Sequence, residues 1–312
     1  MLVRTRCPLG GPEEADIEVY PANFDVEQLN AAVFSARRMP DTLHYRMVRN
    51  TVTGTFRSDP ILDDATLERL YRESSVTYRQ TERHITATYL EYAEAVWPLL
   101  PDRRGVLEIG CGDGFFLKEA LQKGFRRVCG VEPSADAIAN ADPLIRGHIH
   151  EGAIESGAFE PESFSLICGF QVLDHLAHPN DVLGRCMRLL VPGGAMYWIC
   201  HDIGARIPRL LGRRCPMIDI EHVVLYDRHT IAALFERNGF LVDRVFRVAN
   251  RYPVAYWAYL APMPRLLKGG FLAVLNASGL GRIKVRLSLG NLGIIARKPL
   301  DRQDKPGNDD AP

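Results

Sequence analysis

The most constraining feature of the sequence is an apolar run that leads into three closely spaced glycines, Val106-Leu-Glu-Ile-Gly-Cys-Gly-Asp-Gly-Phe115. The run predicts a buried strand, and residues 116–122 predict the helix that follows the turn. Gly110, Gly112 and Gly114 carry no Cβ atom, so a ligand can approach the backbone closely. The helix N-terminus would direct unpaired N–H groups and a positive dipole end toward that ligand. The segment therefore indicates a binding site for a nucleotide-like cofactor.

The spacing of the glycines separates two classes of cofactor. The dinucleotide fingerprint G-x-G-x-x-G needs its third glycine at the position of Phe115, so an NAD(P)-dependent oxidoreductase is disfavoured. Glu108 precedes the glycines in the pattern E-x-G-x-G-x-G. This pattern resembles the first motif of class I S-adenosylmethionine (SAM) dependent methyltransferases, in which the acid and the turn hold the methionine part of SAM. A second predicted strand, residues 127–131, ends at Glu132, whose carboxylate can accept hydrogen bonds from both ribose hydroxyls.

The resemblance covers about residues 80 to 300. Residues 148–154 resemble the third strand and the loop that flanks adenine, with Ala153 where the family usually has an acid. The resemblance implies a backbone hydrogen bond to adenine there and packing of Ile154 on the ring. Residues 164–170 resemble the fourth strand, which is followed by the acid-histidine pair Asp174-His175. Residues 189–195 resemble the L-x-P-G-G turn that leads into the fifth strand.

Together these motifs imply an α/β fold of the Rossmann-like class I methyltransferase type. The expected sheet has seven mostly parallel strands with an antiparallel last strand, beside a small N-terminal β module and a C-terminal lid insertion. SAM is the implied cofactor and no metal is expected. The residues implied to bind SAM are Glu108, Gly110, Cys111, Gly112, Gly114, Glu132, Pro133, Ala153, Ile154, Phe170 and Gln171.

Charge and cysteine content indicate the type of substrate and the cell compartment. The 38 basic and 38 acidic residues cancel, which disfavours nucleic acid as a partner and leaves a small molecule as the expected substrate. Cys129, Cys168 and Cys200 fall in apolar runs, and buried free thiols are typical of a reducing cytoplasm. The N-terminus lacks the apolar stretch of a signal peptide, so none is predicted. The sequence also lacks a run of about 18 apolar residues, so no transmembrane segment is predicted. We expect a cytoplasmic protein, as a monomer or a homodimer.

Residues 1–60 predict a small β module, with strands at residues 16–20 and 45–49. Short segments here, among them residues 34–38, resemble a module that precedes the SAM domain in some bacterial methyltransferases. In those relatives it looks like a zinc ribbon with two C-x-x-C-G knuckles. The spacing is kept in this chain, where the four ligand positions hold Cys7, Gly10, Asn50 and Thr53. One thiol cannot supply the four ligands of a structural zinc, so we expect a ribbon that has lost its metal and is held by packing.

Helices are predicted over residues 63–71 and 80–99, inside a segment, residues 61–103, that roofs the cofactor pocket in the resembled family. Tyr71, Tyr78 and Tyr89 can therefore reach the cofactor or substrate, or pack on the core with a polar tip in water.

The SAM-binding domain is expected to span residues 104–300, with a helix at 228–238 and its last strands at 240–248 and 289–296. An insertion at 253–288 separates these strands. It suits a lid or an oligomer interface, and its apolar and basic residues would also suit a lipid surface. The polar tail, residues 301–312, is predicted to be disordered.

Three histidines are the candidate general bases. SAM carries its own electrophile, so the protein has to align the acceptor and exclude water, and the acceptor must lose a proton. His175 follows the fourth strand, His201 follows the fifth, and His222 lies in the next loop. Each can act as a base or as a structural hydrogen-bonding group. Asp202 and Glu221 are sequence neighbours of two of them, but adjacent residues in a strand point to opposite faces, so these pairs need not interact.

The predicted function is a SAM-dependent methyltransferase that acts on a small metabolite, such as a sugar, a nucleotide-linked sugar or a biosynthetic intermediate. Two alternatives remain open. One is a non-catalytic SAM-fold partner protein, and the other is the NAD(P)-dependent oxidoreductase that the glycine spacing disfavours.

Overall fold

The computed structural model of the chain describes residues 1–25, 27, 29–34, 43–74, 82–261 and 263–300. Its strands are β1 (Leu2–Val3), β2 (Asp16–Tyr20), β3 (Met47–Asn50), β4 (Phe56–Ser58), β5 (Ile61–Leu62), β6 (Val106–Ile109), β7 (Val128–Glu132), β8 (Ile149–Glu151), β9 (Phe164–Phe170), β10 (Leu190–His201), β11 (Val224–Leu225), β12 (Leu241–Pro253) and β13 (Lys284–Arg297). Its helices are α1 (Asp64–Arg72), α2 (Glu82–Ala93), α3 (Phe115–Gln122), α4 (Ala135–Ala139), α5 (Pro143–Arg146), α6 (Pro179–Leu189), α7 (Arg206–Leu211), α8 (Arg228–Arg237), α9 (Val254–Leu260) and α10 (Arg265–Ala277).

The main sheet has seven strands in the order β12-β13-β10-β9-β6-β7-β8. Strands β10, β9, β6, β7 and β8 run parallel, and β13 is antiparallel to both β10 and β12. This arrangement confirms the predicted seven-stranded, mostly parallel sheet with an antiparallel last strand. The order reverses between β6 and β9, and a switch point of this kind is where open α/β sheets bind ligands.

The central strands are apolar because helices cover both faces of the sheet. Every residue of β6, β7 and β9 is buried. Successive residues of β10 alternate between two cores: Met196 and Trp198 pack in one cluster, and Tyr197 and Ile199 pack in the other. This alternation is the two-residue period of a strand, and it gives a core on each side of the sheet.

The N-terminal residues form a second sheet that shares a strand with the main domain. Its order is β11-β4-β3-β2, and β11 comes from the loop after β10. Val224 of β11 pairs with Arg57 of β4, and the Ser58 hydroxyl donates to the His222 carbonyl at 2.9 Å. The buried Arg57 guanidinium binds the Asp16 carboxylate at 2.6 Å. The N-terminal sheet is therefore attached to the loop that carries His222.

The two turns that resemble zinc knuckles face each other. The Cys7 thiol lies 3.3 Å from the Thr53 hydroxyl and 3.4 Å from that of Thr55. The Asn50 side-chain oxygen accepts from the Thr53 N–H at 3.1 Å, and its amide donates to the Asp16 carboxylate at 2.9 Å. Hydrogen bonds thus link the two turns. Descent from a zinc ribbon stays a prediction.

The last two strands are longer than the sequence predicted. They stay paired from Leu241 and Arg297 out to Pro253 and Lys284, so they form a ribbon that extends past the end of β10. Many of the outer ribbon residues are exposed or only partly covered, and their weak apolar pattern explains why the sequence placed them in an insertion. Helices α9 and α10 connect the ribbon's ends. No helix within the described ranges is long and apolar enough to cross a membrane.

Some predictions fall outside the described residues. These are the disordered tail at 301–312, the position of Tyr78, and most of the segment 34–38. The predicted helix at 80–99 is described from Glu82 as α2, which ends at Ala93 and is followed by a separate turn of 3-10 helix at Trp97–Leu99.

Candidate functional site

The glycine turn between β6 and α3 has the backbone that its composition predicts. Gly110, Gly112 and Gly114 all have positive φ, at 66°, 57° and 75°, a region that favours glycine. A Cβ atom on Gly114 would lie 2.6 Å from the Ile145 side chain, and one on Gly110 would lie 2.9 Å from that of Val172. Both the conformation and the space therefore require glycine at these two positions.

Glu132 at the end of β7 is tied to the turn by hydrogen bonds. One of its carboxylate oxygens accepts the N–H of Gly112 at 2.8 Å, and the other accepts the N–H of Ser134 at 2.9 Å. The side chain is 9% exposed. A carboxylate oxygen can accept more than one hydrogen bond, so Glu132 organises the turn and can still receive a ligand hydroxyl.

Glu108 carries a buried carboxylate oxygen that lacks a partner. Its residue is 2% exposed, and its Oε2 atom has no hydrogen-bond partner among the described residues. Burial raises the pKa of Glu108 well above its ordinary value, with Asp113 and Glu132 adding to the effect. Buried unpartnered polar atoms are uncommon in folded proteins and call for an explanation. A cationic ligand group beside Glu108 would supply one.

The remaining predicted cofactor residues lie around the same edge of the sheet. Phe170 ends β9 and stacks on Tyr89 of α2, with ring centroids 4.3 Å apart. Gln171 follows with φ of 59°, a strained value for a non-glycine residue, and its buried Oε1 has no partner among the described residues. Ile154 is buried in the core on one side of the sheet, and Cys111 of the turn is buried in the core on the other side. Pro133 is partly covered and Ala153 precedes a 3-10 turn. Their contacts with a cofactor stay predictions.

The three predicted histidines come together around one carboxylate, that of Asp174. His201 Nδ1 makes a short hydrogen bond to Asp174 Oδ2. His222 Nε2 and His175 Nε2 each lie 3.9 Å from an Asp174 oxygen. The rings of His201 and His222 are 4.6 Å apart, and those of His175 and His222 are 4.9 Å apart. We call these four residues the Asp174 cluster.

The other ring contacts determine what each histidine can do. His222 Nδ1 lies 2.9 Å from the Met217 carbonyl and so carries a hydrogen that it donates. His175 Nδ1 lies 3.1 Å from the Tyr71 hydroxyl. His201 uses Nδ1 to bind Asp174, which leaves its Nε2 as the acceptor nitrogen. His201 is also the most exposed of the three side chains, at 24%, compared with 20% for His175 and 8% for His222.

The electrostatics of the cluster hold Asp174 in its charged form. Burial works against its charge, but His201, His222 and His175 hold the pKa of Asp174 well below its usual range. Burial lowers the pKa of His175 to about 4, although Asp174 acts in the opposite direction. Burial and the nearby Glu221 raise the pKa of Tyr71 well above its ordinary value. Near neutral pH the cluster thus contains a carboxylate and a neutral His175, and the Tyr71 hydroxyl beside it keeps its proton.

Asp174 was named in an acid-histidine pair but was not selected as a site residue from the sequence. Tyr71 was expected either to reach the cofactor or substrate or to pack on the core, and its hydroxyl contacts His175. The signal for Asp174 was its place beside His175 at the carboxyl end of a parallel strand. The acids next to His201 and His222 in sequence were considered instead, and Asp202 in fact accepts the Gly204 N–H. Asp174 also binds the loop, since its backbone carbonyl accepts the Val223 N–H at 2.7 Å.

Three of the cluster's side chains carry ligand atoms close enough together to share a cation. One ligand atom from each of Asp174, His201 and His222 lies within 4.8 Å of the others. Two imidazoles and a carboxylate are a known transition-metal ligand set. His201 Nδ1 is hydrogen-bonded to Asp174, so a metal would have to displace that bond or be bound through Nε2.

A family model described as "Methyltransferase domain" matches residues 79–245, more than half of the sequence. The chain belongs to this methyltransferase domain family. This membership confirms the predicted fold family and identifies the domain as SAM-dependent, with SAM as its cofactor.

Curated relatives match the chain over a shorter stretch. Ubiquinone biosynthesis O-methyltransferase from Klebsiella pneumoniae is 28% identical over 99 residues, which is 30% of this chain and 40% of that protein. Its namesake from Bradyrhizobium is 35% identical over 95 residues, 29% of this chain and 37% of that protein. The match thus covers less than half the length of these relatives.

Solved structures resemble the chain at low identity. An S-adenosylmethionine dependent methyltransferase from Mesorhizobium loti is 19% identical with a TM-score of 0.44, covering 65% of this chain and 96% of that one. A geranyl diphosphate methyltransferase in complex with GPP and sinefungin is 15% identical with a TM-score of 0.47, covering 66% and 76%.

Proposed function

We propose that this methyltransferase-domain protein transfers a methyl group from SAM to a hydroxyl of a small metabolite. A biosynthetic intermediate, a sugar or a nucleotide-linked sugar is the substrate class we favour. The observation that carries the proposal is the Asp174–His201 pair, which provides an oriented base at the end of β10, two strands from the glycine turn. The O-methyltransferase names of the curated relatives agree with a hydroxyl acceptor.

The residues of the turn fit the cofactor. Glu108 has a buried oxygen without a partner, which suits the ammonium of a methionine group. Glu132 keeps acceptor capacity for ribose hydroxyls, and the Gly112 and Gly114 backbone admits close approach. When bound, SAM supplies an electrophilic methyl group on its sulfonium.

The Asp174 cluster takes the proton of the acceptor. The acceptor hydroxyl would give its proton to Nε2 of His201 while its oxygen takes the methyl group that SAM supplies. The carbon–sulfur bond would break, its electron pair would stay on sulfur, and S-adenosylhomocysteine would leave. The Asp174 carboxylate fixes the tautomer of His201 and stabilises the resulting imidazolium, as a carboxylate does in other acid-histidine pairs. Within the cluster the buried His222 lies beside Asp174, and Tyr71 of α1 lies against His175, which limits access of water on these two sides.

We further propose that the enzyme works in the cytoplasm. All seven cysteines are buried and free, a state that a reducing compartment preserves.

The test is a calorimetric titration of the protein with SAM, S-adenosylhomocysteine, NAD and NADP, followed by a mass-spectrometric search for methylated products among hydroxylated candidates. We expect binding of the SAM pair and a product that requires His201. SAM binding without any product across the acceptor classes, in a sample whose fold is intact, would favour the non-catalytic partner protein. Binding of NAD in place of SAM would overturn the proposal.

A further inference from the structure

The region between the last two strands concentrates basic residues on an extended part of the fold. We define the arm as residues 250–289, which contain the end of β12, helices α9 and α10, and the start of β13. The arm has six Lys and Arg residues and no Asp or Glu, although the whole chain has net charge zero. The compensating acids therefore lie elsewhere in the chain, and the arm is a distinctly positive surface.

Helix α10 presents an apolar stripe to solvent. Leu267, Phe271 and Val274 are spaced at i, i+4 and i+7, which puts them on one face of the helix. They are 64%, 44% and 66% exposed. Leu280 and Ile283 continue the exposed apolar surface beyond the helix. In a globular protein the apolar face of a helix normally packs on the core, so this orientation points to an external apolar partner.

Hydrogen bonds and buried side chains hold α9 and α10 of the arm in place on the side away from the apolar stripe. Trp257 donates its indole N–H to the Val285 carbonyl at 3.0 Å, and the Lys268 ammonium donates to the Tyr259 carbonyl at 2.9 Å. Leu275 and Ala258 are buried, each 8% exposed. The exposed stripe is therefore held on a supported helix pair.

Positive charge borders the stripe. Arg282 and Lys284 are exposed beside Ile283. Arg286 differs, because it forms an ion pair with Glu91 of α2 at 2.7 Å. The arm thus places apolar side chains next to basic ones, and its sequence contains no acid. This combination is complementary to a partner with an apolar interior and a negatively charged surface.

We propose that the arm binds the surface of an anionic lipid bilayer. The apolar stripe of α10 would enter the boundary between headgroups and acyl chains, and Arg282 and Lys284 would contact the anionic headgroups. At 13 residues, α10 is too short to span a bilayer, so the binding is peripheral. The proposal does not depend on which acceptor is methylated.

The position of the arm relates it to the candidate site. β12 runs parallel to β10, so it leaves the sheet at the carboxyl edge, where His201 ends β10 and pairs with Asn291 of β13. The arm begins just beyond this pair. Docking of the arm would bring the edge that carries the Asp174 cluster toward the bilayer.

The test is co-sedimentation of the full chain with vesicles of phosphatidylcholine alone and of phosphatidylcholine with phosphatidylglycerol. We expect binding to the anionic vesicles that weakens as salt is raised. The apolar variant Leu267→Ser, Phe271→Ser, Val274→Ser should lose this binding. The charge variant Arg282→Gln, Lys284→Gln should bind about 30-fold more weakly, on the basis of two basic residues near the surface.

Leu144→Ser is the matched control, because Leu144 is 67% exposed on α5, at the opposite edge of the sheet; it should bind like the wild type. The charge variant changes only exposed side chains, so its weaker vesicle binding still tests the proposal if the apolar variant misfolds. Wild-type protein that stays in the supernatant with anionic vesicles at low salt would overturn the proposal. So would a dimer in solution that the apolar variant converts to monomer without any vesicle binding, which would assign the stripe to a second copy of the chain.

Discussion

The glycine turn and the Asp174 cluster lie along the same edge of the sheet but are built in different ways. The turn is one contiguous segment, and its backbone conformation follows from three glycines spaced two apart. The cluster gathers side chains from the segment after β9, from the end of β10 and from the loop before β11, and Tyr71 of α1 contacts it. A contiguous motif can be identified by its spacing, whereas an assembled cluster depends on how the whole chain is folded.

The largest expected effect is a loss of methyl transfer rate when the cluster is changed and the glycine turn is left intact. His201→Asn keeps an N–H group that can bind Asp174 but removes the acceptor nitrogen. We expect the rate of methyl transfer to fall by about 10²–10⁴-fold, the usual contribution of a general base, with SAM affinity unchanged. Methyl transfer rates and calorimetric SAM affinity, measured side by side, check this result.

His178→Asn is the matched control for that substitution, because His178 forms an exposed acid-histidine pair with Asp64 at 3.0 Å. Its rate should equal that of the wild type. An equal loss of SAM affinity and rate in His201→Asn would mean that cluster and turn act as one unit.

Glu132→Ala tests the turn, and it should change SAM affinity, which His201→Asn leaves unchanged. The substitution removes the acceptor of the Gly112 and Ser134 N–H groups and of the expected ribose hydroxyls. We expect SAM binding to weaken by about 100-fold, since charged hydrogen bonds contribute roughly 1.5–3 kcal/mol each. Calorimetry measures the loss, and Glu160→Ala, at an exposed position before β9, should bind SAM normally. Unchanged affinity in Glu132→Ala would remove the ribose role.

A third prediction concerns the backbone of the turn. Gly114→Ala places a Cβ atom 2.6 Å from Ile145 at a φ of 75°. We expect the free energy of unfolding to fall by about 1–3 kcal/mol. Gly147→Ala is the control, because a Cβ atom there meets nothing within 4 Å. Denaturant titration of both variants would contradict the argument if Gly114→Ala were as stable as Gly147→Ala.

The cluster should also make stability depend on pH through His175. Burial lowers its pKa to about 4 in the folded state, compared with an ordinary value of about 6.5. Between these values the unfolded chain binds more protons, so stability is present above pH about 6.5 and is lost as the pH falls toward 4, by up to about 1.4 kcal/mol per pH unit.

Urea titrations of the wild type and His175→Asn at pH 8, 6 and 5 measure this dependence. The difference between the two proteins at pH 8 reports the lost contact with Tyr71, since His175 is neutral in both states there. The wild type should lose more stability than the variant as the pH falls. Parallel curves would show that His175 does not titrate in this way.

The smallest expected effect is that of metal removal. In the proposed mechanism His201 itself takes the proton of the acceptor and no metal takes part, so we expect activity to survive dialysis against EDTA unchanged. Loss of activity that zinc restores would assign Asp174, His201 and His222 to a metal site and would separate the cluster further from the turn.

The sequence could place the three histidines near one edge because they follow the fourth and fifth strands and the next loop. It could not select Asp174 as their common partner. Asp202 is adjacent to His201 in the chain, but neighbouring residues diverge at the end of a strand. Asp174 lies beside His201 because β9 and β10 are parallel neighbours, with Phe170 opposite Ile199.

The outer ribbon of β12 and β13 is a second feature that could not be predicted from the sequence. Exposed residues interrupt its covered ones, and the covered residues include the polar Asn250 as well as Tyr252, so the hydrophobic pattern is too weak to predict strands. Cross-strand pairing out to Pro253 and Lys284 determined the ribbon.

The sequence by itself determined the features that depend on local backbone and on spacing: the buried central strands, the glycine turn with its positive φ angles, the acid that ends β7, and the class of cofactor. Only the tertiary structure decided the partner of each histidine, the joining of β11 to the N-terminal sheet, and the outward orientation of α10. The physical reason is that φ preferences and side-chain periodicity act between near neighbours, whereas a buried carboxylate or a shared strand depends on which distant segments the packed sheet brings into contact.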